Sequence, residues 1–94
     1  MVVLPAELTH EQAPACSRML AEALRRHPEM AVVADAGALE RFDSSALAVL
    51  LECRREALAQ GKRLTVTGME PRLRALAALY GVAELLPETA TGVA

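Results

Sequence analysis

The sequence predicts an α/β fold, a two-layer sandwich in which helices pack on a mostly parallel or mixed sheet of about four strands. Three observations predict it. Short apolar runs alternate along the chain with longer stretches of helical spacing. Met30 to Ala34 is continuously apolar, the pattern of a central parallel strand covered on both faces. No repeat and no linker interrupts the alternation, and right-handed crossovers then bring the helices to one face.

Each element follows in order. Met1 to Leu4 is a short apolar run closed by Pro5, which suits a strand at a sheet edge. Thr9 and Gln12 have the spacing of a capping box and open a helix. Ala13, Cys16, Leu20, Ala23 and Leu24 form its buried stripe, and Pro28 ends it. The apolar strand Met30 to Ala34 comes next, then a loop from Ala36 to Asp43. Ser44-Ser45 starts a second helix that runs to about Gln60, with Gly61 as its stop. Arg63 to Thr67 is an alternating, β-branched strand. Gly68 to Pro71 turns into a third helix, with Leu73, Leu76, Ala77 and Tyr80 on its inner face and Gly81 at its end. Val82 to Leu86 reads as a last short strand, and residues 87–94 as a frayed tail.

Composition bounds the function. The 94 residues make one domain, residues 1–94. Hydrophobic residues are 53% and aromatics 2%, so the core is aliphatic. Few aromatics and a net charge of -2 argue against nucleic acid and against an anionic membrane surface. No apolar run is long enough to insert in a bilayer. Cys16 and Cys53 have no CxxC partner, and no basic, apolar leader is visible, which points to a reducing, cytoplasmic location. His10 and His27 lack metal-ligand spacing, and the glycines form no phosphate loop, so no metal and no cofactor is expected.

The segment with chemistry is Arg41 to Leu51, where Asp43, Ser44 and Ser45 meet the start of a helix. Asp43 or Ser44 can cap its free N–H groups. A phosphate on a serine there would sit at the positive end of the helix dipole. Stepping round the helix puts Ala46, Leu47, Leu50, Leu51, Ala57 and Leu58 on the core side. Ser45, Ala48, Val49, Glu52 and Arg55 fall on the other, a small and weakly polar face that another protein could approach closely. Arg54 falls on the core side, where its stem could follow the sheet rim. A Ser-His-Asp site would need His10 or His27 beside Ser44 or Ser45, with no elbow motif to support it, so no catalytic residue is assigned. Cys16 and Cys53 read as small core residues.

An apolar strand ending in Asp35, followed by a loop and Phe42-Asp43-Ser44-Ser45-Ala46-Leu47-Ala48-Val49-Leu50, resembles the signature of the STAS domain. The resemblance continues through Gln60 to Gly68 and the helix Arg72 to Tyr80, and covers nearly the whole chain. It departs at Ala46, where the family usually has Gly, and leaves little room for the N-terminal strand pair of some members. The resemblance implies a non-enzymatic interaction module. In one branch, the anti-sigma factor antagonists, a partner kinase phosphorylates the position matching Ser45. In the other, the small stand-alone STAS subunit of Mla-type ABC phospholipid transporters serves outer-membrane lipid asymmetry. It binds the cytoplasmic ATPase, with the position of Ser44 in the contact region. The ending Leu79 to Pro87 looks more like the transporter branch. The resemblance and the helix start together imply a partner-binding set of Asp43, Ser44, Ser45, Ala48, Val49 and Glu52. They also imply an ABC ATPase as partner, or an anti-sigma factor kinase in the signalling branch.

Overall fold

The structure, a computed structural model, describes residues 1–88. Three parallel strands form the main sheet. β1 (Val2–Val3) is an edge strand, as expected from the Pro that follows. β3 (Ala31–Asp35) is central and β5 (Arg63–Thr67) lies on its far side, with Val2 opposite Ala34 and Ala34 opposite Val66. Between them in sequence, β2 (Glu7–Leu8) and β4 (Arg41–Phe42) form a second, two-residue parallel ladder. That ladder corrects the expected loop from Ala36 to Asp43. Its bonds are long-range, with Ala6 O accepting from the N–H groups of Glu40 and Arg41, so no local periodicity announces it.

The helices pack on the face that carries Val2, Val32, Ala34, Leu64 and Val66, all buried. The expectation that β3 is covered on both faces fails: Val33 is half-buried and Val3 is 56% exposed. One covered face is what a two-layer sandwich requires.

α1 (Ala13–Arg26) begins after a turn in which Thr9 O accepts from the N–H groups of Gln12 and Ala13. Gln12 Oε1 reaches back to the Thr9 N–H at 2.9 Å, one half of the expected capping box. At the other end, the Lys62 ammonium donates to the carbonyls of Leu24 and His27. α2 (Ser45–Ala59) closes on Gly61 in the left-handed region (φ 73°), where Lys62 N–H donates to Ala57 O at 2.7 Å.

α3 (Pro71–Leu79) starts at Glu70, whose carboxylate accepts from Arg72 N–H. Leu73 and Ala77 are buried, but Tyr80 is 55% exposed, because the helix ends before it. The strand expected over Val82 to Leu86 is instead a short 3₁₀ turn, Ala83–Leu85. Strand-like pairing comes just after it: Val66 N–H donates to Pro87 O at 2.9 Å and Glu88 bridges Val66 in parallel. Pro87 and Glu88 are therefore tied down, contrary to the frayed reading; residues 89–94 lie outside the described residues.

The buried core among the described residues is built from Leu, Val and Ala with Met69, Cys16 and Cys53, as the composition requires. Burial pushes both thiols up, Cys53 to about 11, which suits inert core residues.

Candidate functional site

α2 starts where β4 ends, so Asp43 and Ser44 sit at the junction of a strand and a helix. The capping group is Asp43. Its Oδ1 accepts from Ser45 N–H at 2.8 Å, and its Oδ2 accepts from His10 N–H at 3.2 Å. One carboxylate thus pins the start of α2 to the loop before α1. The Ser45 amide, with help from the Ser45 hydroxyl and His10, holds this carboxyl below the usual carboxylate range. Ser44 occupies the N-cap position without a side-chain capping bond, and it is exposed. Ser45 is half-buried.

Along α2, Ser44, Ala48, Glu52 and Arg55 are exposed, spaced so that they form one line. Glu52 pairs with Arg55 at 3.3 Å. Ala46, Leu47, Leu50, Cys53 and Ala57 anchor the opposite side. Two expectations need correction. Val49, expected on the open face, is 2% exposed and belongs to the core. Leu58, expected in the core, is 52% exposed in the last turn. Both errors have one sense: α1, β5 and α3 all pack on α2, and its buried arc is rotated toward Val49 and away from Leu58. Leu51 and Arg54 are half-buried. Ala46, at the position where Gly was expected, is fully buried.

The structure brings together Asp43, Ser44, Ala48 and Glu52, with Ser45 partly covered beside them. It also adds His10, which sequence reasoning left apart. The His10 ring lies 3.7 Å from Asp43 Oδ2 and is largely exposed. The only sequence signal for this was the Thr9–Gln12 turn, which fixes where the His10 amide points. Asp43 accepts a backbone amide on each oxygen, and the His10 ring stands at 3.7 Å, beyond hydrogen-bond length, on an exposed side chain. Two surface depressions border the site, a small one at Glu52 and another that begins at Phe42, next to Asp43. Among the described residues no group of three His, Cys, Asp or Glu could hold a metal ion, and no helix is long and apolar enough to cross a membrane.

A parallel sheet backed by helices presents a pinned helix start to solvent. The family model described as "Mlab, STAS domain" matches residues 1–87, and the chain belongs to the STAS domain family. Among solved structures, the anti-sigma factor antagonist SpoIIAA in its unphosphorylated form is similar, with a TM-score of 0.72 and 19% identity. The match covers 95% of this chain and 77% of that one, and at this identity it speaks for the fold alone. No curated protein matches the chain in sequence. STAS domains are typically non-enzymatic, and nothing at Ser44 or Ser45 assembles a catalytic group.

Proposed function

We propose that this STAS protein is an accessory subunit that docks on the cytoplasmic ATPase of an Mla-type ABC phospholipid transporter, and so serves outer-membrane lipid asymmetry. One observation carries the reading: Ser44, Ala48 and Glu52 stand exposed in a line on a helix whose other side is fully anchored. Ser44 offers a free hydroxyl because Asp43 does the capping. The Ala48 methyl lets a partner backbone approach closely, and Glu52 with Arg55 supplies a polar rim. Asp43 fixes this surface before binding, so little ordering entropy is lost on docking. The description of the matching family model supports the transporter branch. Val49 drops out of the contact set, and Asp43 acts by positioning.

The test is co-purification with the ATPase subunit of such a transporter from the same cell. Ser44→Arg and Ala48→Glu are expected to abolish it without changing the unfolding midpoint. Retention by both variants overturns the surface.

The signalling alternative, an anti-sigma factor antagonist, has one observation in its favour. Asp43 takes both the amide and the hydroxyl of Ser45. A phosphate on Ser45 would set its charge against that carboxylate and break the cap, a workable switch. This reading expects a cognate kinase to add one phosphate at Ser45 and Ser45→Asp to weaken partner binding. Mass spectrometry of the native protein with Ser45 never modified counts against it.

A further inference from the structure

A groove of about 470 Å³ lies at the far end of α2 from Ser44, where that helix closes and β3 and β5 begin. Met30 and Leu58 line it, 64% and 52% exposed. Ala31 and Gly61 line it as well, and Gly61 sits beneath the Met30 side chain: a Cβ added there would lie 3.8 Å from Met30 Cε. Lys62 and Arg63 supply its polar side. Lys62 is already committed to the carbonyls that end α1. Arg63 is not: its guanidinium has no carboxylate or hydrogen-bond partner among the described residues. The acid next in sequence, Glu29, faces His27 at 3.7 Å.

Two large apolar side chains held in water beside the unpaired Arg63 guanidinium specify an occupant. It must bring an apolar side chain to bury and a carboxylate to pair. We infer that this groove is a second docking site, for an acidic segment of a partner protein with an aliphatic or aromatic residue beside an Asp or Glu. The flexible Met30 thioether suits a wall that moulds itself to such a side chain. The lining on α2 starts at Leu58, about 9 Å along the helix from Glu52 at the helical rise, so the groove adjoins the surface proposed for the ATPase, and the Ala48→Glu variant tells the two apart.

The experiment pans a displayed library of random short peptides on the full chain, then measures the winners by fluorescence polarisation. Enriched peptides are expected to carry Asp or Glu next to Leu, Met or Phe. Leu58→Asp is expected to weaken them roughly tenfold, the worth of burying most of one leucine. Arg63→Glu is expected to weaken them roughly threefold, the worth of an exposed ion pair, and to select basic peptides in their place. Ala48→Glu leaves their binding unchanged. Thermal unfolding checks each variant, and Met30→Ser reports on the same wall should Leu58→Asp not fold. No enrichment, winners without acids, or affinities unmoved by these variants overturn the inference. So does co-sedimentation with phosphatidylglycerol vesicles that depends on Leu58 and Arg63 while no peptide is enriched, which would assign the groove to a membrane surface.

Discussion

Asp43 does more at the candidate site than either serine, and its effect has a sign that can be measured. Its folded-state carboxyl is held below the ordinary range, first by the Ser45 amide. A carboxylate depressed in this way adds stability at neutral pH, and that stability is lost as pH falls through the depressed value. Glu88 behaves alike, held down by the Arg74 guanidinium at 2.7 and 2.8 Å. Urea unfolding over a series of pH values should therefore place Asp43→Asn below the wild type at neutral pH. The two curves should converge in acid, and parallel curves would sink this account of the cap. That a cap sits at Asp43-Ser44 was legible in the sequence, because both residue types accept from free helix amides. Which of the two caps was not, because the choice depends on the His10 amide, which lies 33 residues away along the chain.

α2 shows how far helical periodicity reaches. It located the helix, its stop at Gly61 and most of its core residues. It failed at Val49 and Leu58, because a wheel assumes one flat neighbour and this helix has a sheet and two helices around it. The two-residue strands β2 and β4 were invisible for a related reason: too short to show a period, they exist only through pairing with each other. The adjacent positions 48 and 49 now carry opposite expectations. Val49→Asp puts a carboxylate among aliphatic side chains with no partner, which is expected to cost several kcal/mol or prevent folding. Ala48→Glu points into water and should stay within about 0.5 kcal/mol of the wild type while losing the ATPase. Chemical denaturation of both chains decides the matter. A Val49→Asp protein of wild-type stability would return that residue to the surface.

At the scale of the whole molecule, one small aliphatic core must hold every element. The radius of gyration is 12.2 Å, against about 12 Å expected for a compact chain of this length. A domain this size buries a modest share of its surface, so each large core residue matters. The segment after α3 supplies one of them: Leu86 is 2% exposed. Just beyond it, Pro87 and Glu88 cover the outer edge of β5, which would otherwise offer unpaired backbone groups to other chains. This closing segment therefore acts as part of the core and as an edge guard. Leu86→Ala is expected to cost about 2–4 kcal/mol, within the range for truncating a buried leucine. Unfolding should remain a single transition for probes on α1 and on α3 alike, since one core couples them. Ending the chain after Gly81 removes both functions and should yield aggregates, read by light scattering at a temperature where the full chain stays clear. Arg74→Ala, which loses the exposed ion pair to Glu88 and one bond to the Met69 carbonyl, should do neither. If Leu86→Ala matched the wild type in urea, the core would be complete without this segment, and only its backbone cover of β5 would remain to explain why the chain needs it.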